Sequence, residues 1–145
     1  MFRHILLPTD GSELATRAVE KGVELAKQLG ARVTILTVVE PYHIMTLNPT
    51  QLEESLATYR RHAEDQAAKV LGEAASRAAK VGVAADTLTR VGESPWEEID
   101  AVAGEIGADL IAMASHGRRG LSALMLGSQT GRVVAQSKVP VLVFR

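Results

Sequence analysis

Short apolar runs alternate with amphipathic helical stretches along all 145 residues of this chain, and that alternation constrains the fold more than any other feature. His4-Ile5-Leu6-Leu7-Pro8 reads as a buried strand, closed by Pro8 and the turn-forming Thr9-Asp10-Gly11-Ser12. Ser12 is placed to cap a helix along which Leu14, Ala15, Ala18, Val19, Val23, Ala26 and Leu29 recur at helical spacing. Gly30 falls where a C′ glycine belongs. Residues 32–39, dense in β-branched side chains and followed by Pro41, form a second buried strand. After a loop at 42–49, Thr50-Gln51-Leu52-Glu53 is a capping box that opens a long alanine-rich helix to about Ala79.

Residues 83–90 alternate more than the earlier strands, which suits a sheet edge. Ser94-Pro95-Trp96-Glu97 starts a third helix with a cap serine, a proline at N1 and a glutamate at N3. Ile99, Val102, Ala103 and Ile106 face inward, Trp96 anchors the helix on the sheet, and Gly107 ends it. A fourth strand at 110–114, a last helix at 128–136 and a fifth strand at 139–144 complete the chain. The order β-α-β-α-β-α-β-α-β implies an α/β fold, a five-stranded parallel sheet with right-handed crossovers and helices on both faces, in one domain over 1–145. Such sheets bind ligands beyond the carboxyl ends of their strands, where the strand order reverses. Two glycine-bearing loops follow strand carboxyl ends, at 8–12 and at 114–128. They face each other across one crevice if the first and fourth strands are neighbours.

The second loop carries the chemistry. Ala114-Ser115-His116-Gly117-Arg118-Arg119-Gly120 leaves the fourth strand, and Gly127-Ser128 opens the last helix. A glycine-rich basic loop feeding a helix start offers unpaired backbone N–H groups and positive potential to phosphate. The plainer alternatives are a helix cap at Gly127-Ser128, an Asx-turn at Asp10, and core packing for Pro8 and Met113. Arg118 and Arg119 can pair with phosphate or reach solvent. His116 reads as a hydrogen-bonding loop residue rather than an acid–base group.

Composition excludes several classes. A formal net charge of −1 argues against nucleic acid or an anionic membrane as partner. The absence of cysteine removes disulfides and thiolate chemistry and fits the cytoplasm. The first apolar run is too short for a signal peptide, and none approaches membrane-spanning length. Neither G-x-x-x-x-G-K-[ST] nor G-x-G-x-x-G occurs. His4, His43, His62 and His116 are scattered, without metal-ligand spacing. No carboxylate cluster beyond Asp10 would hold Mg²⁺ tightly, so a metal would come with the phosphates of a ligand.

The sequence resembles a single-domain universal stress protein. Pro8-Thr9-Asp10-Gly11-Ser12, Ser115-His116-Gly117-Arg118-Arg119-Gly120-Leu121, Leu126-Gly127-Ser128 and Val139-Pro140-Val141-Leu142-Val143 occur in that family's order over essentially the whole chain. The resemblance implies strand order 3-2-1-4-5 and a homodimer paired through the last strands, with Val139, Val141 and Val143 on the dimer edge. Nucleotide-binding members show G-x-x-G-x(9)-G-[ST]; here Gly117, Gly127 and Ser128 match, and Ala114 stands at the first glycine position. Carried over by position, Pro8, Thr9, Val38, Met113 and Ala114 line the adenine side and Asp10 meets the ribose. Gly117, Arg118, Gly127, Ser128 and Gln129 serve the phosphates, with Gly120 helping the loop to wrap them. The function implied is a cytoplasmic, ATP-binding regulatory module of the stress response with at most weak hydrolysis. The alternatives are a slow ATPase using His116 or Arg118 and a dimeric interaction protein whose pocket Ala114 closes.

Overall fold

The structure, a computed structural model, describes residues 1–41, 48–118 and 125–145. Its elements are β1 (His4–Pro8), α1 (Glu13–Leu29), β2 (Arg32–Val39), α2 (Pro49–Lys80), β3 (Ala85–Val91), α3 (Pro95–Ile106), β4 (Leu110–Ala114), α4 (Ser128–Gln136) and β5 (Val141–Phe144). The strands form one parallel sheet in the order β3-β2-β1-β4-β5. The expected architecture and strand order both hold. The reversal of order lies between β1 and β4, where successive crossovers leave the sheet in opposite directions.

Burial explains why the central strands read as unbroken apolar runs. β1 and β4 are buried along their whole length, because helices cover both faces. Ile5 and Leu7 join Val19, Val23, Ala26, Leu71, Ala74 and Ala78 on the side of α1 and α2. Leu6, one residue out of phase, joins Ile99, Val102, Ala103, Ile111 and Val133 on the side of α3 and α4. Trp96 packs against this second cluster, as its anchoring role requires. β3 forms one edge of the sheet and is mostly exposed.

Several local expectations change. Helix α2 begins at Pro49, not at the capping box: Asn48 Oδ1 accepts from Thr50 N at 3.1 Å, and Asn48 O accepts from Leu52 N at 3.0 Å. Proline at N1 has the helical φ already set and has no N–H to leave unpaired, so the helix starts two residues early with asparagine as its cap. Much of the 42–49 loop, residues 42–47, falls outside the described residues. Ser12 caps α1 as expected, accepting from Ala15 N at 3.3 Å, whereas Ser94 makes no side-chain cap bond at α3. Leu29 of the expected apolar stripe is 42% exposed, since it ends the helix beside Gly30.

The last strand is shorter than the pattern suggested. Val139 lies before it, its N–H taken by Ser137 Oγ at 3.1 Å, and its side chain packs on the α3/α4 cluster. Pro140 has no N–H for the ladder, so regular pairing begins after it. The carbonyls of Pro140 and Phe144 face β4, accepting from Ile111 N at 2.9 Å and Ser115 N at 2.8 Å. By strand alternation Val141 and Val143 therefore turn their N–H and C=O groups toward the outer edge.

The amino ends of the strands are closed by polar bonds. The Asp109 carboxylate accepts from Arg3 N at 2.8 and 3.0 Å and from His4 N at 3.0 Å. The His4 N–H bond is the main reason its pKa lies below the usual carboxylate value, against an opposing effect of desolvation. Buried His4 Nε2 meets Thr34 Oγ1 at 2.8 Å. The open crevice lies at the other end.

Helix α1 packs tightly on Leu7 of β1 at Gly22, a contact that apolar periodicity does not register. A Cβ there would lie 2.4 Å from Leu7 Cδ2, on a side chain with no exposure. Gly72 in α2 has nothing within 4 Å of such an atom. Gly72→Ala is expected to raise stability by up to ~1 kcal/mol through helix propensity. Gly22→Ala should lower it by about 1 kcal/mol, because overpacking of ~1–3 kcal/mol outweighs the same propensity gain. Denaturant midpoints of the two variants check this; equal stabilisation by both would contradict the close packing of α1 on β1.

Candidate functional site

A cavity of about 410 Å³ opens at the carboxyl ends of β1 and β4, within the ~300–1,000 Å³ common for small-molecule sites. Every described residue expected to contact nucleotide lines it: Pro8, Thr9 and Asp10 after β1, Val38 in β2, Met113 and Ala114 in β4, Gly117 and Arg118 in the next loop, and Gly127, Ser128 and Gln129 at the start of α4. The fold thus gathers four separated stretches of sequence. It also adds Leu36, Glu40, Pro95, Ile99, His116 and Thr130. Arg119 and Gly120 lie outside the described residues.

Asp10 fastens the two loops together. Its Oδ1 accepts from Ser12 N at 2.9 Å, closing an Asx-turn, and its Oδ2 accepts from Arg118 N at 2.8 Å. Each carboxylate oxygen can accept a further bond, so capacity remains for a hydroxyl donor from a ligand. A Cβ on Gly117 would lie 2.6 Å from Asp10 Oδ2, so this close approach requires glycine there. Thr9 beside it is tightly held. Its N–H reaches Leu36 O at 2.8 Å, its hydroxyl accepts from Gly11 N at 3.2 Å, and its carbonyl accepts from Thr37 Oγ1 at 2.5 Å.

At the facing wall, Ala114 ends β4 in ordinary backbone geometry; no described residue other than glycine has positive φ. It is 5% exposed, and it packs with Ala15 and Ala18 of α1. Its carbonyl accepts from Thr130 Oγ1 at 2.9 Å, tying α4 to the strand end. Alanine in place of the family's first glycine therefore leaves the cavity open.

The start of α4 is built differently from the reading of Gly127 as a phosphate donor. Gly127 N–H is already given to Ser115 O at 2.8 Å, and an added Cβ would lie 3.2 Å from that carbonyl oxygen. Gly127 is thus a packing residue that brings the helix onto the loop. The first helical bond is Gly131 N to Gly127 O at 2.8 Å, so the N–H groups of Ser128, Gln129 and Thr130 have no carbonyl within the helix. No acidic side chain occupies that first turn and no side chain caps it. In α1 and α3, by contrast, Glu13 and the Glu97–Glu98 pair sit in the first turn. The positive end of α4 is uncompensated and suited to an anion.

His116 lines the cavity while its Nδ1 pairs with buried Ser115 Oγ at 2.9 Å, so it does make the loop hydrogen bond expected of it. Pro95 and Ile99 were missed as wall residues because periodicity assigns Ile99 to the core. Ile99 is indeed 4% exposed within the α3/α4 cluster, and only the sheet order brings the start of α3 to the crevice. Among the described residues no group of three or more His, Asp or Glu is placed to hold a metal, and no helix is long and apolar enough to cross a membrane.

The whole chain, residues 1–145, matches the family model described as Universal stress protein family. It is 35% identical over 149 aligned positions to the universal stress protein YxiE of Bacillus subtilis, covering 100% of both chains. Its fold is similar to that of MJ0577 of Methanocaldococcus jannaschii, with a TM-score of 0.82, 30% identity and coverage of 99% of this chain and 95% of that one. It is similar as well to a universal stress protein solved in complex with cAMP, with a TM-score of 0.74, 25% identity and coverage of 99% and 97%.

The Asp10 bridge makes a direct expectation. Gly117→Ala should break the bond from Arg118 N to Asp10 and speed amide exchange at Arg118, while the remote Asp109–His4 pairing keeps its protection. Unchanged exchange at Arg118 would show that the loop tolerates a Cβ facing the carboxylate.

Proposed function

Because the chain belongs to the universal stress protein family, we propose that it is an adenine-nucleotide-binding regulatory module that takes ATP in the cavity between β1 and β4. The observation that carries this reading is the convergence of the described contact residues on one cavity, with the uncompensated start of α4 at one side. The adenine rests against Pro8, Val38 and Met113, and the ribose hydroxyls donate to the Asp10 carboxylate. The phosphates take the N–H groups of Ser128, Gln129 and Thr130, with the Ser128 hydroxyl and Arg118 beside them. Mg²⁺ enters with the phosphates, since Asp10 already serves both loops. The related protein solved with cAMP supports an adenine nucleotide as the ligand class.

Regulation follows from the same parts. Loops that meet across a ligand are held together when it is present, so filled and empty forms differ in loop order and in the surface offered to a protein partner. The place of action is the cytoplasm.

Calorimetry with ATP and Mg²⁺ tests the reading: wild type binds, and Ala114→Gly changes the affinity by less than about threefold. No heat with wild type but clear binding by Ala114→Gly would establish a pocket closed by alanine. Phosphate release in single turnover, well above buffer and lost in His116→Ala, would replace the module with a slow ATPase.

We further propose that the outer edge of β5 pairs with a second copy of the chain. The support is the outward main-chain polarity of Val141 and Val143 on an edge strand; Val139, outside the strand, flanks that edge. Val143→Pro removes an outward N–H without removing a ladder bond to β4. It should sediment as a monomer with an unchanged circular dichroism spectrum, and persistent dimers would remove the edge model.

A further inference from the structure

Gln129 carries two hydrogen-bonding groups, and the structure commits one of them outside its own helix. Its Oε1 accepts from Trp96 N, in the first turn of α3, at 3.0 Å. That N–H is one of the donors a helix start leaves unpaired, and Ser94, in the cap position, supplies no side-chain acceptor. The cap of α3 thus comes from α4. Only an amide oxygen can accept from a backbone N–H, so this bond fixes which way the amide faces. The NH₂ group is left without a partner among the described residues, on a side chain that lines the cavity. Pro95 and Ile99 of α3 line the same cavity, so the starts of both helices border one space.

From this we propose that Gln129 ties the phosphate end of the ligand to the first turn of α3, its amide nitrogen donating to phosphate while its carbonyl caps Trp96. The proposal rests on the nucleotide reading above and adds the route by which an occupied site reaches a second helix. An amide that donates to an anion becomes a stronger acceptor at its oxygen, because hydrogen bonds in a chain polarise one another. Phosphate binding therefore tightens the α3 cap. Adenosine, which lacks phosphate, does not. Trp96 is the only tryptophan of the chain, so the capped turn carries its own optical reporter.

The test uses the full-length protein, with ATP plus Mg²⁺ and adenosine as probes and two readouts, calorimetry and amide exchange at Trp96 with its fluorescence emission. In wild type, ATP slows exchange at Trp96 and shifts its emission, and adenosine does neither. Gln129→Glu keeps an acceptor for the cap and replaces the donor by a carboxylate. The free variant should retain Trp96 protection yet lose about tenfold or more in ATP affinity, with adenosine unchanged. Gln129→Met removes both groups: Trp96 exchanges faster in the free protein, ATP no longer slows it, and ATP affinity falls while adenosine affinity stays. A purely structural role would weaken both ligands alike. Wild-type affinity for ATP in Gln129→Met, or Trp96 exchange in wild type that ignores bound ATP, overturns the proposal and leaves the nucleotide reading standing. Wild type that binds neither ATP nor adenosine overturns both.

Discussion

The geometry of the crevice depends on one carboxylate. Asp10 holds the loop after β1 through Ser12 N and reaches across to the loop after β4 through Arg118 N. Parallel strands end in loops that would otherwise move separately, and a bridge at the point of reversed strand order sets their spacing. The requirement propagates outward. Gly117 must lack a Cβ for the bridge to close, and Thr9 must be held from below by Leu36 and Thr37 so that Asp10 points across the gap. A carboxylate placed between two loops is then a structural tie that keeps spare acceptor capacity.

Electrostatics separates α4 from α1 and α3. The first turns of α1 and α3 contain glutamates, which offset the positive end of a helix dipole. The start of α4 has none, and Gly127 spends its N–H on Ser115 rather than on a ligand. The N–H groups without a carbonyl in the helix therefore begin one residue later than the glycine motif suggests, at Ser128, Gln129 and Thr130. The Thr130 hydroxyl donates to Ala114 O, and the Gln129 amide oxygen accepts from Trp96 N. Those bonds lock the helix start against β4 and α3, so its free N–H groups are held in place before a ligand arrives.

Ala114 shows how a departure from a motif is judged by packing. Taken alone, a Cβ at a glycine position threatens the space beside a nucleoside. In the fold the residue is a strand terminus with normal φ, seated among alanines of α1. Small residues at 15 and 18 leave room for the methyl group on that side of the sheet, and the cavity keeps a volume of about 410 Å³.

The residues expected to border a ligand came from the family resemblance, and the sequence by itself determined the alternation of strands and helices and the caps at Ser12 and Gly30. Each of these rests on local spacing: period two or none in the strands, 3.6 in the helices, and glycine or proline where the backbone demands it. Tertiary structure decided what local spacing cannot encode. It set the use of Gly22 as a contact with Leu7, the transfer of the α3 cap from Ser94 to Gln129, the loss of Val139 from β5, and the double duty of Asp10. In each case the partner lies on a different element, and its distance is set by how the helices pack on the sheet. A residue's periodicity states which face it is on; only the packed neighbour states what that face must do.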